Sequence, residues 1–487
     1  MTRVPITPGQ TAIAVVLLGG VLRLYHLTTL SLWVDEGITI SVARAPWPTV
    51  LGLHGAYEVH PPLYFAFIKA VSLWLPESNA GRVVSMIAGT ATIGVLYLLV
   101  ARLVQPWAGV VAGLVLAVAP LHIWYSQEAR QYALVVLLIT TTYLALVAFV
   151  QSRSGAWALV YGVALLLSVY VEYSAVYALL PQGVLLLYLL RRHGRPIWAL
   201  GAAAGGAALG FLPWLPQLLY TAGSQPNRLF FTVTPARIAS SVLSLTGLAE
   251  PLSRQGSAAE ATARLSGAEV GFYGLLLLAV TPAALAGARV LWRQSSLTFG
   301  SALALSAGTI ITAGALSLIY PGYVKRTVLA VVLGWAALIG AAPFAAGLSR
   351  RLRALTLGSV ALALLLSAGT LAATYRDGDK QHWRELAAAT AQAAALGGLV
   401  ITYPQVAGTL LDVYQPAIMS GPHIALDDGA RLPALAALGN APQRVWLAYL
   451  DFSGIADVRA DLTTQGYVRR THTYFPDPLY LDEYERP

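Results

Sequence analysis

"PPLYFAFIKAVSLWL", residues 61–75, decides how this chain is folded. The run is apolar but short for a membrane span, and it carries Lys69. A span takes roughly 20 predominantly apolar residues, and shorter runs are often re-entrant or interfacial. Basic residues choose between the two topologies, because short cytoplasmic loops are enriched in Lys and Arg. If the run does not cross, Arg3, Arg102, Arg153, "RRHGR" at 191–195, Arg289 with Arg293, and "SRRLR" at 349–353 all fall on one side, the cytoplasm. If it crosses, these basic loops split between the two faces. The non-crossing reading follows, with 61–75 as a helix on the outer membrane surface.

The other apolar runs lie at 9–27, 82–103, 107–124, 131–150, 156–171, 174–190, 197–219, 271–290, 297–319, 327–347 and 354–373, giving about eleven spans by run length. Composition agrees. Of 487 residues 57% are hydrophobic and 11% charged, whereas a soluble domain carries about 25% charged residues. The mean hydropathy is +0.65. The absence of cysteine excludes disulfides, iron–sulfur clusters and thiolate zinc sites. A net charge of +9 reflects basic cytoplasmic loops rather than nucleic-acid binding. The N-terminal "MTRVPITPGQTAIAVVLLGGVL" lacks a small-residue cleavage pattern before Leu24, Tyr25 and His26, and reads as an uncleaved first helix.

This topology gathers several polar segments on the outer face: 28–81, the "SQEAR" turn at 126–130, Glu172 with Tyr173, the loop 220–270, "YPGYVKR" at 320–326, and the tail after about residue 374. The tail is of mixed, soluble composition. "GGLVITY" and "QRVWLAYL" read as buried strands, "GYVRRTHTYF" holds a late strand, and helical patterns lie between. Such alternation implies a small α/β domain. It carries no glycine fingerprint for a dinucleotide or phosphate. The expected fold class is an all-α polytopic membrane protein with juxtamembrane helices in the first outer loop, followed by a small C-terminal soluble α/β domain. The division is a transmembrane catalytic domain over 1–375 and an extracytoplasmic domain over 376–487.

Several short stretches could carry chemistry. In "LSLWVDEGITISVAR", residues 30–44, Asp35 and Glu36 stand side by side. A carboxylate at a helix start is favoured by free N–H groups and the dipole; the functional reading is a general base or metal ligand. In "EVHPPLYF", Glu58 and His60 precede Pro61 and Pro62. The prolines fix the approach to a helix, and His60 with Lys69 could donate hydrogen bonds to an anion. In "APLHIWYSQEARQYAL", residues 119–134, Glu128, Arg130 and Tyr132 stand where a helix re-enters lipid. An ionisable residue there is a functional hypothesis, against a plain Glu128–Arg130 surface pair. Glu172 and Tyr173 repeat the arrangement. In "YPGYVKRTVLAVV", Lys325 and Arg326 lie on the outer face against the positive-inside trend. Lipid headgroups or a bound phosphate would favour them, and Arg is well shaped for phosphate. Acids beside cations at a membrane surface suit glycosyl transfer from a lipid-linked phosphosugar: a carboxylate takes the acceptor's proton while cations stabilise the departing phosphate.

"LWVDEGITISVAR", "HPPLYF", "GRVVSMIAGT", "YSQEARQYAL" and "YVKR", in this order over roughly residues 10–347, resemble the bacterial dolichyl-phosphate-mannose–protein mannosyltransferase-like enzymes. These are relatives of glycosyltransferase family 39 within the C-type membrane superfamily, GT-C. The resemblance implies an integral-membrane, inverting glycosyltransferase that uses a polyprenyl-phosphate sugar on the outer face. It implies Asp35 as the base or acceptor-orienting acid and Glu128 as the second-loop acid, followed by Arg130. It sets His60 where lipid A-modifying relatives carry Lys, and Arg326 near the donor phosphate. Those relatives also carry an Arg three residues after the Asp, where this chain has Ile38, which argues against the aminoarabinose branch. The 220–270 loop is too short for the β-trefoil insertion of eukaryote-like protein mannosyltransferases, which argues against transfer to protein.

The expected enzyme is a hexosyltransferase, mannosyltransferase-like, working by single displacement. Asp35, with Glu36 and Glu128 in support, forms the catalytic set. Arg326, Lys325, Arg130 and His60 grip the phosphate, and Tyr132, Glu172, Tyr173 and Glu58 contact sugar or acceptor. No cofactor is required; two acids from separate loops could share a divalent metal, but the cations make one unnecessary. The expected partners are a polyprenyl-phosphate sugar donor, the lipid bilayer, and a glycan, lipid or protein acceptor, with no nucleic acid. The expected location is the plasma (inner) membrane, multi-pass, with active site and C-terminal domain extracytoplasmic. A lipid-linked glycan flippase would instead place charge near the bilayer midplane in broken helices, and a non-catalytic envelope assembly protein would have no use for the loop carboxylates.

Overall fold

The computed structural model describes residues 6–53, 60–193, 197–224, 267–319, 323–377, 380–427, 429–435, 442–451, 454–476 and 478–487. The chain divides into two compact units. The first comprises Met1–Leu27, Trp47–Phe67 and Arg82–Gly378; the second comprises Thr28–Pro46, Ile68–Gly81 and Asp379–Pro487. Two segments of the first long loop thus group with the tail.

The first unit is helical and polytopic. Among the described residues, seven helices are long and apolar enough to cross a membrane: Glu77–Leu103, Tyr132–Ser152, Tyr173–His193, Trp198–Gly223, Gly271–Gln294, Ser296–Ser317 and Arg350–Arg376. A bent pair, Pro106–Ala117 with Pro120–Ser126, passes the same test, and the shorter apolar helices are Pro8–Leu24, Gly155–Val171 and Val331–Phe344. Together they stand at the eleven expected positions. The run at 61–75 yields only the helix Leu63–Val71, which at 1.5 Å per residue is too short to span. The helices pack through small residues: Gly340 lies against Ala112 and the backbone of Ala108, where a Cβ would meet atoms at 2.6–2.8 Å. Small residues let helix backbones approach closely in a membrane, where lipid supplies no hydrophobic drive.

The bent pair is the chief departure from the expected uniform spans. Its helices meet at 66°, and Pro120 opens the second, where its missing N–H is tolerated. A break in a helix strands carbonyls. The fully buried Arg23 guanidinium satisfies them. It donates to Leu116 O and Ala117 O at 3.2 Å each, to Gly19 O at 2.9 Å and to Ser126 Oγ at 3.3 Å. It also meets His122 Nδ1 at 2.8 Å. Gln127 Nε2, just past the bent pair, donates to Arg23 O and Tyr25 O. These bonds fix the start of the 127–131 turn.

In the second unit a five-stranded sheet has the order β2-β1-β3-β5-β4: β1 Leu399–Tyr403, β2 His423–Ala425, β3 Arg444–Leu450, β4 Val468–Phe475 and β5 Leu479–Glu485. The strands β1, β2 and β3 are parallel, while β5 runs antiparallel to β3 and β4. Side chains alternate between faces with period two. Val400, Trp446, Ala448 and Leu450 pack with the helices Trp383–Ala395 and Gln405–Tyr414. Leu399, Ile401, Val445 and Leu447 pack with the helix Ile455–Thr464. Strands β1, β3 and β4 stand where the hydrophobic patterns predict them. The short β2 and the acid-bearing "LYLDEYE" of β5 carry no comparable pattern. Leu32 and Ile40, from the first loop, belong to the first of these two cores.

Candidate active site

In the first unit the chemistry gathers around the turn between the bent pair and the helix Tyr132–Ser152. This turn buries Glu128, Arg130 and Gln131, at 2%, 3% and 0% exposure. Arg130 Nη2 stands 2.8 Å from His60 Nε2. His60 Nδ1 stands 3.2 Å from Glu172 Oε2. A guanidinium has only donors, so Nε2 accepts and Nδ1 carries the hydrogen given to Glu172. Gln131 Nε2 donates to the same Glu172 oxygen at 2.6 Å, and the Ser174 amide donates to Oε1 at 3.1 Å. Burial alone would raise the Glu172 carboxyl. The adjoining His60 ring and the hydrogen bonds from Gln131 and Ser174 outweigh it and hold the group at about 2. A cation, an imidazole and a carboxylate thus form one line across three loops.

Ser85 Oγ donates to the Arg130 carbonyl at 3.0 Å and lies 3.1 Å from Tyr64 OH. The helix after "HPP" and the helix Glu77–Leu103 therefore brace the same turn. Tyr132 is 2% exposed, with Tyr125 edge-on at 5.4 Å. The Arg326 guanidinium lies 5.9 Å from the Tyr132 ring centroid, within cation–π reach. Arg326 is half-buried and Lys325 buried, at the start of a short 3-10 turn, Lys325–Val328. Arg326 also borders a small pocket whose walls include Val135, Ile139, Ala178, Thr309 and Leu329. Thr309 follows the π-helical turn Ala304–Gly308, a local distortion common at functional sites. A cation beside apolar walls suits the junction of a lipid chain and its phosphate. The Tyr173 hydroxyl accepts from Trp214 Nε1 at 2.8 Å.

Asp35 and Glu36 belong to the second unit, on the helix Val34–Arg44, and the structure gives them different surroundings. Glu36 is fully buried, and its Oε2 accepts from the Trp33 amide at 3.2 Å. It is the helix-capping carboxylate that the simplest reading of this stretch expects. Asp35 is half-buried. Lys69 donates to Ala43 O at 2.9 Å and Ala45 O at 2.7 Å, capping the C-terminus of that helix. Its ammonium serves the helix end.

Of the expected site residues, the structure joins His60, Arg130 and Glu172 in one network, and Arg326 with Tyr132 in another. Both ring nitrogens of His60 and both carboxylate oxygens of Glu172 are engaged by protein groups. These contacts tie His60 and Glu172 to Arg130 and its turn. Glu58 lies outside the described residues. Among the described residues no cluster of three or more His, Asp or Glu side chains could hold a metal ion. Gln131 and Ser85 escaped the sequence reading. The signal for Gln131 was its place beside Arg130 at the lipid border.

The family model described as "Dolichyl-phosphate-mannose-protein mannosyltransferase" matches residues 59–220, the stretch that holds His60, Arg130 and Glu172. No curated protein matches the chain. Among solved structures, ArnT from Cupriavidus metallidurans in the apo state superposes with a TM-score of 0.60 at 13% identity over 97% of both chains. Its undecaprenyl-phosphate complex gives 0.58 at 13% identity over 97% of both. The archaeal oligosaccharyltransferase AglB from Archaeoglobus fulgidus, in complex with an inhibitory peptide and a dolichol-phosphate, gives 0.55 at 12% identity. That match covers 96% of this chain and 74% of AglB. The chain has the GT-C fold. The likeness to ArnT runs through the C-terminal unit as well as the membrane unit. At such low identity it speaks for architecture, and the GT-C assignment leaves sugar and acceptor open.

Proposed function

We propose that the protein is a polyprenyl-phosphate-dependent, inverting glycosyltransferase that moves a sugar to an acceptor hydroxyl on the outer face of the membrane. The observation that carries this reading is the Arg130–His60–Glu172 line, buried at both ends, within the stretch matched by the mannosyltransferase family model. ArnT carries undecaprenyl phosphate in one solved structure, and a donor of that chemical kind fits an arginine beside apolar walls. The outer-face placement rests on the one-sided distribution of basic loops.

Arg326, Lys325 and Arg130 supply positive charge for the donor phosphate. His60 and Glu172 hold Arg130 in place, and Glu128 stands in the same turn. The Asp35 carboxylate takes the proton from the acceptor hydroxyl. The acceptor oxygen bonds to the anomeric carbon as the carbon–oxygen bond to phosphate breaks, and the electron pair leaves on the polyprenyl phosphate. Attack from the opposite face inverts the centre. Attack on an oxocarbenium-like carbon raises the hydroxyl's acidity late, so an ordinary carboxylate serves as base. No metal enters this scheme.

The test is turnover of polyprenyl-phosphate sugars by the purified protein in detergent, with mannose, glucose, galactose and arabinose donors in parallel. Sugar release or transfer is expected; a flippase or an assembly protein gives none. Asp35→Asn should leave the protein folded and donor-bound but reduce turnover by about 10²–10⁴-fold. Near-normal turnover in that variant removes Asp35 from the mechanism.

A further inference from the structure

The helix Val34–Arg44 is gripped along its whole length by side chains of the C-terminal segment of its own unit. At its start, the Leu32 amide donates to Tyr414 OH at 2.6 Å and the Val34 amide to Gln381 Oε1 at 2.9 Å. Gln381 is fixed in turn by Trp383 Nε1 at 2.7 Å. With Glu36 on the Trp33 amide, three successive N–H groups leading into Asp35 have set acceptors. Free N–H groups at a helix start otherwise look to water. Along its middle, a Cβ at Gly37 would lie 2.7 Å from Leu410 Cγ and 2.8 Å from Val406 Cγ2. Ser41 Oγ lies 2.8 Å from Thr409 Oγ1. At its end, Arg44 bridges Glu77 at 2.6 Å and Asp412 at 2.8 Å.

We propose that the C-terminal domain is a positioning device for Asp35: Tyr414, Gln381 and the Leu410 seat under Gly37 fix where the carboxylate of the first-loop helix stands. This rests on the reading of Asp35 as the reacting base. These contacts bear on the helix that carries Asp35, while Arg130 meets His60 and Arg326 lies by the Tyr132 ring. A loosened grip moves the base, and the donor KM reads whether the donor site moves with it. Displacing a reacting group by about 1 Å costs up to 10²-fold in rate.

The experiment uses the full-length protein in detergent with a polyprenyl-phosphate hexose. Gly37→Leu drives a side chain into the Leu410 seat, and Tyr414→Phe removes the acceptor for the Leu32 amide. The expected result is a kcat lower by about 10–10²-fold for Gly37→Leu, a smaller loss for Tyr414→Phe, and an unchanged donor KM in both. Leu410→Ala, added to Gly37→Leu, reopens the seat and restores kcat. Wild-type kcat in both folded single variants overturns the proposal, as does loss of kcat and donor affinity together. If Gly37→Leu does not fold, Tyr414→Phe decides alone. Asp35→Asn is run alongside: full activity there defeats the base assignment itself. An inactive Asp35→Asn with a normal Gly37→Leu and Tyr414→Phe defeats only the positioning role.

Discussion

Two buried arginines in the membrane unit face a histidine, and they do opposite work. Arg23 contacts His122 and donates to Gly19 O, Leu116 O, Ala117 O and Ser126 Oγ. These acceptors are neutral, and Leu116 O and Ala117 O need a donor because a helix breaks there. Arg130 contacts His60, and the imidazole passes the interaction on to Glu172, a carboxylate at the end of another span. Burial and residue type do not separate the two. What separates them is the group at the far end: broken-helix carbonyls need a donor for stability alone, whereas a cation–imidazole–carboxylate line sets a charge at a defined point.

Removing each arginine should therefore fail in a different way. Arg23→Met strands several buried carbonyls, each costing about 1–3 kcal/mol. Thermal unfolding in detergent should show the largest stability loss of any variant here, with near-normal activity per folded molecule. Arg23→Lys, which keeps the charge, should recover part of that stability. Arg130→Met should reverse the pattern, lowering turnover by about 10²–10³-fold with a smaller loss of stability. If the two variants lose stability and activity in the same proportion, the distinction between them collapses. Arg326→Ala should weaken binding of a polyprenyl phosphate by about 10–10²-fold, the value of a hydrogen bond to a charged group, and leave the unfolding temperature nearly unchanged. Unchanged affinity would remove it from the phosphate site.

The smallest effect concerns Glu172. Its folded carboxyl is held at about 2, below the ordinary value of 4.5. A depressed pKa contributes stability above the unfolded value and loses it as pH falls from about 4.5 towards 2. Glu172→Gln should flatten the acid limb of stability measured between pH 6 and pH 3, and leave stability at pH 7 less affected than Arg23→Met does. An unaltered acid limb would mean that the carboxylate at the end of the Arg130 line contributes nothing by its charge.

Much of the fold was legible because the bilayer imposes a length on every apolar run. The eleven run positions needed no tertiary information, and neither did β1 or β3, whose apolar runs are continuous. The 66° break was not legible. Pro120 opens its second helix, but what holds the break is Arg23, whose guanidinium meets the stranded carbonyls from 93 and 94 residues away. The site was half legible. Arg130 and Arg326 stood out because charge at a span border is expensive. The pairing of His60 with Arg130 joins residues 70 apart, and sequence spacing holds no record of that meeting. The same holds for Asp35 and Glu36: adjacent in sequence, they differ in burial, since Glu36 is fully buried and folds back to the Trp33 amide while Asp35 is half-buried.

The sequence by itself determined the environment, the helical membrane unit, the strand-bearing tail and the border positions where charge is tolerated. These follow from transfer energies and periodicity, which are local properties of the chain. Tertiary structure alone decided that Thr28–Pro46 and Ile68–Gly81 group with the tail, that Lys69 caps a helix, and that His60 links Arg130 to Glu172. Those outcomes depend on which donors meet which acceptors once distant segments pack, and hydrogen bonds of about 3 Å leave no trace in residue order.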